Sequence, residues 1–257
     1  MDIFFYIIIF IMGTFFGSFF TLAVYRIPLK KDITHERSFC PNCNHKLGFL
    51  DLFPVWSYIF LRGKCRYCGE KIRIRYLILE VLSGLVFVLA YKSLNIQNII
   101  LDFNKIPLFV EFVFLYVTLC LVAGIDKEYR KINSSVVLFG GIVEWIYILY
   151  LYIIEHTSIY RYSIYGAIFI LMYIINYIVQ KKKENYIMQV LLLITYTCFV
   201  LGWKVLILSV VVSIAVGAVL TMIQKKNFLE IKIGFVFGLC TIVCEIVENF
   251  IIFYNLI

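Results

Sequence analysis

Cys40-Pro41-Asn42-Cys43 and Cys65-Arg66-Tyr67-Cys68 are two C-x-x-C pairs separated by 21 residues, set in the one long polar stretch of an otherwise apolar chain. Each pair can present two thiolates to one metal ion. Two such knuckles complete a closed tetrahedral shell of four sulfurs, the arrangement of a structural zinc site. The pairs therefore divide the chain into a small metal-stapled polar module and a large hydrophobic body.

Outside that stretch the composition is that of a membrane protein. The 257 residues are 63% hydrophobic and 16% charged, with a mean hydropathy of +0.93; a soluble domain carries about 25% charged residues. Measured against about 20 residues per crossing, apolar runs predict spans at roughly 3–25, 76–92, 107–126, 135–154, 163–180, 186–202, 204–223 and 233–254. The expected fold is an all-α polytopic membrane protein of about eight helices. Its parts are a first transmembrane helix over 1–25, a cytoplasmic zinc module over 26–75 and a seven-helix membrane domain over 76–257. Met1-Asp2 offers no basic region before the first apolar run, so a cleaved signal peptide is not expected.

The charges orient these spans. With the N-terminus outside, the cytoplasmic segments 26–75, 127–134, 181–185 and 224–232 hold 20 of the 24 Lys and Arg residues. Only Lys92, Lys105, Arg161 and Lys204 fall elsewhere, as the positive-inside rule requires, and both termini lie outside. The net charge of +8 is thus a mark of topology, and no nucleic-acid partner is expected. The cysteine module faces the reducing cytosol, where thiolates bind metal rather than persist as disulfides. Cys120, Cys198, Cys240 and Cys244 lie in predicted helices and read as buried packing residues. Gly13 and Gly17, Gly140-Gly141 and Gly217 read as positions of close helix approach.

Three stretches together resemble the type IV prepilin peptidases, intramembrane aspartic proteases of the G-x-G-D type that also act as N-methyltransferases. The first is Phe16-Gly17-Ser18-Phe19 through Tyr25-Arg26-Ile27-Pro28. The second runs from Ser38 through both cysteine pairs, with Phe53-Pro54-Val55-Trp56 between them, and on through Arg75-Tyr76 to Glu80. The third is Gly124-Ile125-Asp126 with Ile132 beyond it; Leu201-Gly202-Trp203 and the last two helices add weaker likeness. The resemblance implies that Asp126 is one of two catalytic acids. On its own chemistry, an ionisable residue at the end of a membrane helix either snorkels to the interface or performs chemistry.

The chain departs from the family at the second acid. Where G-x-G-D-x-K is expected it reads Lys183-Glu184-Asn185-Tyr186-Ile187-Met188-Gln189-Val190, with the missing Asp falling between Met188 and Val190 and neither glycine present. Thr21 stands where the family has Asn, and Asn133-Ser134 where it has Pro-Asp. Glu184 is the nearest substitute partner for Asp126, against the plainer reading of an interfacial charge beside Lys181-Lys182-Lys183. Glu230 echoes the motif only superficially. Glu80, Glu245 and Glu248 are further acids within apolar segments, the last two toward the outer half.

The resemblance implies cleavage, and in the family N-methylation, of pilin-like precursors whose apolar N-terminal helix lies in the bilayer of a bacterial inner or plasma membrane. It implies S-adenosylmethionine as methyl donor beside the structural zinc. The alternative is a catalytically degenerate member that binds such precursors, or serves assembly, without cleaving. A small transporter ranks last, because it has no use for a cytosolic zinc module.

Overall fold

The computed structural model describes residues 2–94, 96, 105–154, 156, 158–182, 184–224 and 232–253. Among these the chain forms nine helices. They are α1 (Asp2–Arg26), α2 (Phe49–Leu52), α3 (Trp56–Phe60), α4 (Arg75–Ser93), α5 (Ile106–Tyr129), α6 (Ser134–Ile154), α7 (Tyr160–Lys182), α8 (Tyr186–Gln224) and α9 (Ile233–Phe253). Seven of them are long and apolar enough to cross a membrane. The chain is an all-helical membrane protein, and its helices group into two compact units, Met1–Phe103 and Asn104–Ile257. Within the first unit α4 packs against α1.

In the first unit α1 and α4 pack backbone to backbone. A Cβ at Gly13 would lie 2.7 Å from the Ser83 carbonyl oxygen, and one at Gly17 would lie 2.7 Å from the Glu80 Cα. Glycines four apart on one helix permit this approach, which dispersion then rewards. Between the two helices the chain leaves the apolar layer through a clamp. Arg26, 4% exposed, donates from Nη1 to the carbonyls of Asp32 (3.0 Å) and Glu36 (2.8 Å), and from Nη2 to that of Arg37 (3.4 Å). One buried guanidinium thereby folds the loop that leads to the cysteines.

The Phe53-Pro54-Val55-Trp56 stretch makes a strained turn. Val55 sits at φ 64°, ψ −53°, and the Trp56 N–H donates to the Pro54 carbonyl at 2.6 Å, which is a γ-turn of the rare, unfavourable hand. Glu80 of α4 accepts the Val55 N–H at 2.7 Å. A buried acid thus stabilises a backbone conformation that a β-branched residue otherwise avoids.

In the second unit α5 is central, with 67% of its most apolar window buried, and it packs on α6 and α9. The long helix α8 is broken at Gly202, whose φ 77°, ψ −178° is accessible only to glycine. Val190 and Ile194 before the break line the same apolar cleft as Val210, Ile214 and Gly217 after it. In one straight helix Val190 and Ile214 would stand about 36 Å apart. The halves therefore fold back on each other, matching the two spans expected at 186–202 and 204–223.

Candidate functional site

The four cysteines converge as their spacing predicts. Each knuckle is built the same way, the second repeating the first at an offset of 25 residues. Bridges pair Phe39 with Lys46 and Lys64 with Lys71. The N–H of Cys40 donates to the His45 carbonyl (3.0 Å) and that of Cys65 to the Glu70 carbonyl (2.8 Å). The tight turn needs a left-handed residue, supplied by Asn44 (φ 56°) in one copy and Gly69 (φ 73°) in the other. Each copy contributes one buried thiol, Cys40 or Cys65, and one exposed thiol, Cys43 or Cys68.

All four sulfurs lie within 4.8 Å of one another, and Cys40 Sγ and Cys68 Sγ are 3.9 Å apart. A zinc ion at about 2.3 Å from four sulfurs in a tetrahedron places them about 3.8 Å apart, so the site fits zinc. The Cys43 backbone N–H directed at the Cys40 sulfur holds that thiol down at about 7. Cys43, although the His45 N–H favours its thiolate, is pushed up to about 11 by burial and by the neighbouring Cys40 and Cys68 sulfurs. One thiolate is therefore ready near neutrality, and a bound zinc would supply the charge that draws the proton from Cys43.

Asp51 braces the module. Its Oδ2 accepts the Gly48 N–H and the Tyr67 O–H, each at 3.0 Å, and its Oδ1 pairs with Arg66 Nε at 2.9 Å. Burial alone would raise this carboxyl, but those donors outweigh it and hold it below its ordinary range. Tyr67 also stacks on His45, with ring centroids 3.5 Å apart. The second knuckle is in this way locked to the first independently of any metal.

Asp126 ends the central helix of the second unit and is fully buried. Its Oδ2 accepts the Tyr186 O–H at 3.0 Å and the Phe235 N–H at 2.9 Å. Its Oδ1 has no partner among the described residues. Phe235 lies in the first turn of α9, where free backbone N–H groups and the helix dipole favour a negative charge. The Gly234 N–H donates to Tyr186 Oη at 3.2 Å, closing a ring of contacts, and a Cβ at Gly234 would stand only 3.2 Å from Asp126 Oδ2. Lys127 lies over the Phe235 ring and Arg130 over the Tyr186 ring, at 5.0 and 5.9 Å from their centroids. The result is a buried carboxylate with one oxygen fixed and the other buried without a partner among the described residues.

The candidate partner lies elsewhere. Glu184 is exposed, and its carboxylate pairs with Lys131. Neither it nor any other carboxylate is among the described hydrogen-bond partners of Asp126. Gln189, in the stretch where the missing Asp is expected, is 3% exposed. Its Oε1 accepts the Ile132 N–H at 2.9 Å, and its Nε2 donates to Gln180 Oε1 at 3.1 Å. Gln180 passes the chain to Asn176 (3.1 Å), and Asn176 to the Ser134 hydroxyl (2.9 Å). This relay of side-chain amides joins the start of α6 to α7 and α8. Glu80 is committed to Val55, Glu245 and Glu248 line a cavity away from Asp126, and Glu230 lies outside the described residues.

Sequence reasoning missed Tyr186, the Phe235 N–H and the amide relay, and it passed over Glu111 and Glu144. The available signal was the presence of amides and acids inside apolar runs. Asn176, Gln189 and Glu144 each interrupt such a run and each is buried.

Comparison with known proteins places the first third of the chain. Residues 11–94 match the bacterial peptidase A24 N-terminal domain. A prepilin leader peptidase/N-methyltransferase of Myxococcus xanthus is 40% identical over 83 residues, 32% of this chain and 25% of that protein. One of Vibrio cholerae is 41% identical over 85 residues, 30% of this chain and 34% of that protein. One of Bacillus subtilis is 33% identical over 132 residues, 51% of this chain and 50% of that protein. The chain thus spans between a quarter and a half of the length of these curated relatives. No solved structure matches. The stretch that carries the cysteine module is thus similar to the N-terminal domain of bacterial A24 peptidases and to prepilin leader peptidases/N-methyltransferases.

Proposed function

We propose that this chain is a member of the prepilin peptidase family and acts as a prepilin-type leader peptidase. It receives pilin-like precursors through their apolar N-terminal helix and cleaves them at the cytosolic face of a bacterial inner or plasma membrane. The zinc module is cytoplasmic and both termini lie outside, as the distribution of Lys and Arg supports. Zinc builds the module and takes no part in cleavage, because a closed shell of four thiolates leaves no open position for substrate. N-methylation of the new N-terminus with S-adenosylmethionine belongs to the same reading, since the relatives carry both activities in their names.

The observation that carries the proposal is Asp126. A fully buried carboxylate with one oxygen held and the other left without a described partner retains an acceptor that could activate water or protonate a leaving amine. Hydrolysis by acid–base catalysis needs a second group to divide those tasks. Glu184 serves only by leaving Lys131 and turning inward. A second reading rests on Gln189: an amide, which neither holds nor gives up a proton near neutrality, occupies the stretch of the second acid and is committed to a relay. Under it the chain binds precursors without cutting them.

The two readings separate in one assay. Membranes containing the full chain are incubated with a tagged prepilin beside an active relative. The peptidase reading expects a shortened product that disappears in Asp126→Asn and falls at least tenfold in Glu184→Gln. Co-purification of an uncut precursor, with no product from the unaltered chain, overturns it in favour of binding alone.

A further inference from the structure

A second polar centre occupies the far end of the second unit. Glu111 and Asp126 both lie on α5, fifteen residues apart, which is about 22 Å along the axis. Around Glu111 the helices α5, α6, α7 and α9 and the Gly202 break enclose a cavity of about 230 Å³. Its wall carries four carboxylates, Glu111, Glu144, Glu245 and Glu248, interleaved with phenol rings that include Tyr147 and Tyr165. None of the described lining residues is Lys, Arg or His.

Glu144 separates this cavity from a mere cluster of acids. It is 4% exposed, lines the cavity, and makes no hydrogen bond to any described residue. Glu111 and Glu245 line the same cavity. Glu245 accepts one bond, from Asn249 Nδ2 at 3.0 Å. A buried carboxylate without a partner inside a membrane bundle is costly, and the cost is relieved by a proton or by an opposite charge brought from elsewhere.

The geometry selects the kind of cation. Among the described residues, the four cysteines alone bring three or more His, Cys, Asp or Glu ligand atoms close enough to hold one metal ion. No three of the glutamates meet that condition. The cavity would hold roughly seven water molecules, the size of a small organic group. Carboxylates give charge-assisted hydrogen bonds to N–H donors, and phenol faces attract a cation and cover its methylenes.

We propose that this cavity binds a small organic cation bearing an ammonium or guanidinium group, paired with Glu144 and flanked by Glu111, Glu245 and the tyrosines. The site is separate from the groups around Asp126 and goes beyond the peptidase reading; its test reads binding rather than cleavage.

Agmatine, which carries an amine and a guanidinium, is titrated into the full zinc-loaded chain in detergent, with calorimetry and thermal unfolding as readouts. Saturable binding and a rise in Tm are expected. Glu144→Gln, similar in size but uncharged, is expected to weaken binding at least tenfold, and Asp126→Asn to leave it unchanged. Tyr165→Leu keeps every carboxylate and is expected to weaken binding severalfold, so the test survives if the first variant fails to fold. Absence of saturable binding overturns the proposal, as does equal affinity in Tyr165→Leu and the unaltered chain. A Tm rise with Ca²⁺ but not with agmatine overturns it in favour of a metal site.

Discussion

Asp126 is held by groups that come to it from 60 and 109 residues along the chain, the Tyr186 hydroxyl and the Phe235 N–H. No local pattern announces such partners, so the sequence marks the acid and leaves its surroundings blank. Tyr186 looks like one aromatic among 19 tyrosines, yet it both donates to Asp126 and accepts from Gly234. Tyr186→Phe is expected to cost about 1–3 kcal/mol, the range for leaving buried polar groups unpaired. A lower Tm in detergent is the measurement, and an unchanged Tm refutes the role. Gln189 teaches the complementary lesson. The gap in the motif is plain in the sequence, but the reason an amide suits the position appears only in three dimensions. It must accept from Ile132 and donate to Gln180 at once, and an ionised carboxylate can only accept.

The helices themselves were legible, because a bilayer forces each crossing into a long apolar run with satisfied backbone. Spans read at 3–25, 76–92 and 233–254 correspond to Asp2–Arg26, Arg75–Ser93 and Ile233–Phe253. Which helices pack together was not legible, since lipid-facing and helix-facing residues are equally apolar. The contact between α1 and α4 depends on small residues instead. Gly17→Val tests it directly. The added side chain meets the backbone of α4 rather than a movable group, so the helices must part. Loss of about 2 kcal/mol or more is expected, in the range of overpacked cores. It should show as earlier unfolding and as faster proteolysis in the loop that Arg26 clamps; a stable, resistant variant would contradict the packing.

At the scale of the whole molecule the two units rest on different physics. The polar stretch of the first has little core of its own, since α2 and α3 bury no residue, and its four cysteines are placed where a metal could staple it. Purified protein is expected to carry about one zinc per chain. Cys40→Ser should lower that content at least tenfold, while a chelator or mild acid, which protonates the thiols, should release the metal. Far-UV helicity of the membrane spans should persist as tryptic cuts appear between residues 26 and 75. Retained zinc in the variant would refute the four-sulfur site. The topology of the second unit turns on one backbone angle. A chain that crosses a bilayer an even number of times returns to the compartment it left, and the turn at Gly202 makes the number even. A reporter enzyme active only after export, joined behind residue 253, should therefore be as active as one joined ahead of α1, and the same fusion at residue 183 should be silent. Remove that turn and parity is lost: the far end of the protein would be read in the other compartment.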